Sequence, residues 1–135
     1  MSEVEIAFIG GSGLYKIPNL KKIKWKTVKS SFGKPSWKVC LGSLNGKSIA
    51  FLPRHGINHN ISPSKINYRA NIDAFKKLGV TDILSLSSVG SLNEDLSPGV
   101  FVVINQYVDL TKNRITTFFD NDIVVHVSML SLIHI

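Results

Sequence analysis

Apolar and polar positions along this chain alternate or cluster in a way that predicts several strands and one helix. Residues 4–9 form a short apolar run that stops at Gly10-Gly11, the pattern of a buried strand followed by a glycine turn. Over residues 22–28 lysines alternate, or nearly so, with Ile23, Trp25 and Val28, which predicts a half-buried strand with a basic outer face. Residues 37–44 and 47–52 flank Asn45-Gly46, the strongest short hairpin signal. From 63 to 78, Ile66, Ala70, Ile72, Ala74, Phe75 and Leu78 recur at roughly helical spacing. Ser62 is placed to cap that helix, Pro63 to open it and Gly79 to close it in a left-handed conformation. Residues 81–87 and 100–110 read as apolar strands, with a turn at Asp95-Leu96-Ser97-Pro98-Gly99 between them. The strand–helix–strand order around residues 63–78 predicts a layered α/β fold.

The length of 135 residues is that of one domain. With 44% hydrophobic and 19% charged residues the composition is globular, not disordered. No apolar run approaches the roughly 20 residues that cross a bilayer, so no membrane partner is expected. The start, Met1-Ser2-Glu3-Val4-Glu5, lacks the basic n-region of a signal peptide. Cys40 stands alone, so an intrachain disulfide is impossible; this fits a reducing cytoplasm, and the residue reads as a small buried hydrophobe. The net charge of +7 invites a nucleic-acid reading, but Lys16, Lys21, Lys22, Lys24, Lys26 and Lys29 crowd into the first quarter as a solvated strand face. No helix-turn-helix, zinc-finger spacing or RNA-binding aromatic signature accompanies them, so no nucleic-acid partner is expected. Residues 130–135 back-translate to a string resembling the transposon-end adapter of sequencing libraries. They are expected to be a non-native tail, with an ordinary short apolar tail as the alternative.

Three stretches can hold an oxyanion, each at or after the end of a strand-like run. Gly10-Gly11-Ser12-Gly13 lets the backbone approach a ligand and offers successive amides and a hydroxyl. It is neither a Walker A loop, lacking the Lys-Ser/Thr pair, nor a dinucleotide fingerprint, lacking the G-x-G-x-x-G spacing. Arg54-His55-Gly56 supplies a planar guanidinium fork and a ring nitrogen that can donate. His59 lies four residues on, but Gly56 and Asn58 argue against a helix between the two histidines, so no metal is expected. Ser85-Leu86-Ser87-Ser88-Val89-Gly90 ends an apolar strand that reads as buried, and ligands bind at the carboxyl ends of strands in open α/β sheets. Each stretch alone could be a turn or a locally satisfied serine pair. Together they suggest one shared phosphate. No carboxylate in them is an obvious general acid; Asp109 and Asp120 are candidates only by exclusion.

In order and spacing the chain resembles the trimeric purine nucleoside phosphorylases, and within them most closely the 5′-methylthioadenosine phosphorylases. The segments that carry the resemblance are Ile9-Gly10-Gly11-Ser12-Gly13-Leu14, Phe32-Gly33-Lys34-Pro35-Ser36, Arg54-His55-Gly56-Ile57-Asn58-His59, and the run from Pro63 to Asn71. Ser88-Val89-Gly90-Ser91-Leu92, Pro98-Gly99, Asp109-Leu110-Thr111 and Thr117-Phe118-Phe119-Asp120 continue it. The resemblance implies a mixed central sheet flanked by helices, no cofactor, a cytoplasmic homotrimer, and phosphorolysis of a purine nucleoside by inorganic phosphate. It implies that Ser12, Arg54, His55, Ser87 and Ser88 bind phosphate. His59 would line the site, and His126 would reach the substrate of a neighbouring subunit. Asn67, Tyr68 and Asn71 are expected to be packing or helix-surface residues. Family members are longer, so residues 1–129 are expected to be the N-terminal part of one phosphorylase domain, inactive by itself. The acid that protonates the purine, and the groups that choose between 6-amino and 6-oxo purines, are expected beyond the chain end. The alternative is a non-catalytic phosphate-binding α/β module.

Overall fold

The computed structural model describes residues 4–11, 17–119 and 123–127. The chain divides into two compact units, Met1–Ser88 and Val89–Ile135. Among the described residues the strands and the α-helix all fall in the first unit: β1 (Ile6–Gly10), β2 (Lys21–Lys26), β3 (Val39–Leu44), β4 (Lys47–Pro53), α1 (Tyr68–Lys76) and β5 (Asp82–Leu86).

The strands make one mixed sheet in the order β2-β3-β4-β1-β5. β2, β3 and β4 pair antiparallel, whereas β1 runs parallel to both β4 and β5. The β3–β4 hairpin turns at the predicted dipeptide, with Asn45 at φ 50° and Gly46 at φ 82°. Two successive left-handed residues match the twist of the flanking strands, and a glycine adopts the second position without Cβ strain.

Helix α1 is the crossover that carries the chain from β4 past β1 to β5, and it covers one face of the sheet. Ala74 and Phe75 pack with Val4, Ala7, Ile9, Val39, Leu41, Ala50 and Leu52 in a single core. The helix begins later than its periodicity predicts. Pro63–Lys65 is a single 3-10 turn, and Ser62 makes no side-chain cap bond. Asn67 caps instead: its Oδ1 accepts from the Ala70 N–H at 3.0 Å while its Nδ2 donates to the Phe32 carbonyl at 2.7 Å. A residue that can satisfy an orphan helical amide and a distant loop carbonyl at once outcompetes a cap that serves only the helix. Gly79, at φ 85°, follows the last turn as expected.

Three expectations fail at the sheet's edges and beyond. β2 is not half-buried: all six residues are exposed, Ile23 and Trp25 included. It borders β3 alone, and its lysines, together with a register shift between Lys21 and Lys24, are the features that keep an edge strand from pairing with other chains. β5, the edge strand beside β1, is apolar in sequence yet largely exposed. In the second unit, residues 100–110 form no strand, since Val and Ile content supplies propensity but a strand also needs a ladder partner. The turn predicted before them is present, with the Val100 N–H donating to the Ser97 carbonyl at 3.3 Å across Pro98-Gly99.

Candidate active site

The sheet register brings two of the loop-forming stretches, and the start of the third, to one place. Gly10 at the end of β1 is in register with Pro53 of β4 on one side and with Leu86 of β5 on the other. The segments that follow, Gly11 onward, Arg54-His55 and Ser87-Ser88, therefore leave the same end of three adjacent parallel strands. This is the carboxyl-terminal edge where open α/β sheets bind ligands.

Arg54 ties the three exits together. Its backbone N–H donates to the Gly10 carbonyl at 3.0 Å, and its Nη1 donates to the Leu86 carbonyl at 2.9 Å. A Cβ added at Gly11 would lie 3.3 Å from Arg54 Nη2, so the absent side chain is what lets the loop after β1 run against the guanidinium. Arg54 Nε donates to His55 Nε2 at 3.2 Å, and His55 Nδ1 lies 2.8 Å from the Ile61 carbonyl. A carbonyl only accepts and a guanidinium only donates, so these contacts assign the proton to Nδ1 and the lone pair to Nε2. Both ring nitrogens of His55 are thereby engaged, and the ring orients Arg54. The turn that carries them is closed by Gly56 N–H to Pro53 carbonyl at 3.0 Å and Ile61 N–H to His55 carbonyl at 3.1 Å.

A cavity of about 270 Å³ opens here, lined by Arg54, His55, Pro63, Tyr68, Ser85 and Ser87. Among these residues Arg54 carries the only full charge, and no carboxylate faces in. The wall is therefore positive and rich in donors, the electrostatics of an anion site.

The expected site residues divide as follows. Arg54, His55 and Ser87 share the cavity. Ser88 is exposed next to Ser87 and is not a lining residue. His59 is exposed beside the cavity, its ring centroid 4.6 Å from that of His55. Ser12 lies outside the described residues, although Gly11 delivers that loop to Arg54. His126 is an exposed residue of the second unit. Residues 130–135 and Asp120 also lie outside the described residues. Among the described residues no group of three or more His, Cys, Asp or Glu is placed to hold a metal ion.

Sequence reasoning missed Tyr68 as a lining residue. Tyr68, expected to pack or face solvent, is the first residue of α1 and forms a wall of the cavity. Ser85 opens the third oxyanion stretch read from the sequence, and it lines the cavity together with Ser87. Asn71 is a packing residue as expected. It is fully buried, its Oδ1 accepting from the Ser36 N–H at 2.8 Å and its Nδ2 donating to Ser36 Oγ at 2.9 Å.

A mixed sheet with a helix on one face and a donor-rich cavity at the carboxyl ends of its parallel strands defines a layered α/β protein with its candidate site at the strand ends. The chain belongs to the phosphorylase superfamily, whose profile matches residues 5–132. It is similar to the S-methyl-5′-thioadenosine phosphorylase of Rhodospirillum rubrum, 53% identical over 124 residues that cover 92% of this chain and 42% of that protein. Among solved structures it resembles a methylthioadenosine phosphorylase from an antarctic soil metagenomic library, with a TM-score of 0.87 at 47% identity over 96% of this chain and 45% of that one. It also resembles the methylthioadenosine phosphorylase of Schistosoma mansoni in complex with adenine, with a TM-score of 0.79 at 44% identity over 92% of this chain and 46% of that one. The chain thus spans about half the length of the relatives it matches.

Proposed function

We propose that this chain carries the phosphate-binding part of a purine nucleoside phosphorylase acting on 5′-methylthioadenosine. The observation that carries the reading is the convergence of Gly11, Arg54, His55 and Ser87 at one end of three parallel strands. Its support in comparison is the run of methylthioadenosine phosphorylases that the chain resembles.

In the proposed reaction a phosphate oxygen bonds to C1′ of the ribose as the bond from C1′ to the purine nitrogen breaks. The bonding pair leaves with the base, which takes up a proton, giving adenine and 5-methylthioribose 1-phosphate. Positive charge develops on the ribosyl ring, so a fixed phosphate dianion serves as nucleophile and as electrostatic partner. Arg54 would hold that dianion through Nη2, the guanidinium nitrogen that bonds neither Leu86 nor His55. His55 would orient Arg54, and Ser87 would donate a hydroxyl. Ser12, Ser88 and their loop amides would complete the cradle, His59 would line the site, and His126 would reach the substrate of a neighbouring subunit. No lining residue is a carboxylate, so the purine proton comes from a group other than these.

The homotrimer and the cytoplasmic setting belong to the same proposal. Among the described residues no helix is long and apolar enough to cross a membrane. The 135-residue chain by itself is expected to bind phosphate without turnover, because its lining residues supply the nucleophile's site and no acid. Incubating it with 5′-methylthioadenosine and phosphate and following adenine by chromatography tests the second half of this statement. Calorimetric titration with phosphate tests the first, and absence of binding would refute the site.

A further inference from the structure

Ser85 breaks a row that is otherwise apolar. In register across the sheet, Leu52 of β4 lies beside Ile9 of β1, and Ile9 lies beside Ser85 of β5. Leu52 and Ile9 are buried in the core under α1. The third position of the same row carries a hydroxyl, is exposed, and lines the cavity. A serine here contributes neither apolar burial nor β-propensity, since a branched apolar residue would extend the core.

We propose that Ser85 is a second hydroxyl contact to the oxyanion held by Arg54 and Ser87; this rests on the phosphate-site reading above. Ser85 is in β5 and Ser87 is the residue after its end; both line the cavity, and two residues of extended backbone separate them by about 6.6 Å. One tetrahedral oxyanion, hydrogen-bonded at about 2.7 Å to each hydroxyl, can bridge that span. Arg54 approaches the same strand end, with Nη1 on the Leu86 carbonyl between the two serines. The ligand chemistry is a tetrahedral phosphate or phosphate monoester that takes two hydroxyl donors from the end of β5 and the residue after it, and a guanidinium from the residue after β4.

The test is calorimetric titration of inorganic phosphate into the full chain and into Ser85→Ala and Ser85→Thr, with melting midpoints measured without phosphate. Ser85→Ala is expected to weaken binding about tenfold, as for a lost hydrogen bond to a charged group. Its midpoint is expected to be unchanged, and Ser85→Thr is expected to bind within about twofold of the unsubstituted chain, because the hydroxyl persists. Unchanged affinity in Ser85→Ala overturns this inference alone. So does a lowered midpoint or failure to fold, which would make the serine structural, or a Ser85→Thr variant as weak as Ser85→Ala. No phosphate binding by the unsubstituted chain overturns the phosphate-site reading itself, and this inference with it.

Discussion

The Arg54 guanidinium donates to the Leu86 carbonyl at 2.9 Å, joining residues 32 apart in sequence. The bond links the exit of β4 to the end of β5, with β1 between them in the sheet. It leaves Arg54 with a structural half and a half directed at the cavity. Arg54→Lys keeps the charge but loses the fork that serves both. Phosphate affinity in the lysine variant is expected to fall at least tenfold, about 1.4 kcal/mol or more. Titration calorimetry reads the loss, and equal affinity in the two proteins would show that charge alone suffices.

Asn71 and Ser36 exchange two hydrogen bonds inside the core, fastening the loop before β3 to α1. Asn71→Ala strands the Ser36 amide and hydroxyl without partners. The expected cost is about 2–4 kcal/mol of stability. A denaturant titration measures it, and a midpoint within error of the unsubstituted chain would mean that water replaces the amide.

The Asp73 carboxyl is held below the ordinary carboxylate range. The Ser30 side-chain hydrogen bond is the largest cause, opposed by partial desolvation and reinforced by the Ser31 N–H and the Lys77 ammonium. Its folded pKa is therefore lower than its unfolded one. The stability it contributes is present above the unfolded pKa and is lost as pH falls through the folded one. Melting midpoints are expected to drop below about pH 4, and to drop less in Asp73→Asn. Parallel acid limbs in the two proteins would remove Asp73 from the account.

Cys40 is buried on β3, in register with Phe51 and Trp25, and burial pushes its thiol pKa up. A thiol without thiolate character or access reacts slowly. Iodoacetamide at mildly alkaline pH is expected to leave the folded chain unlabelled and to modify it fully in concentrated guanidinium. Mass spectrometry distinguishes the two, and rapid labelling of the folded chain would mean that β3 opens.

Much of the first unit was legible because its signals are local. Asn45-Gly46 dictates a turn through backbone sterics alone, and Ala70, Ala74 and Phe75 mark one helix face by spacing. The start of α1 was misplaced because the cap was chosen by a loop far away in sequence: Asn67 is tied to Phe32, 35 residues off. Tyr68 was missed for the same reason, since a residue becomes a cavity wall only when the helix start is known. The exposure of Ile23, Trp25 and Leu84 was unreadable because an apolar strand pattern does not say whether the strand is central or at an edge.

By itself the sequence determined which residues turn, which alternate and which carry donor groups for an anion, because these follow from backbone sterics, side-chain period and functional groups within a few residues. It also placed the chain with the phosphorylases. Only the tertiary structure decided that β1 lies between β4 and β5, and so that Gly10 neighbours both Pro53 and Leu86. Strand order depends on non-local ladders and on which face α1 covers. Contacts between distant segments, absent from any local window, turn separate motifs into one site.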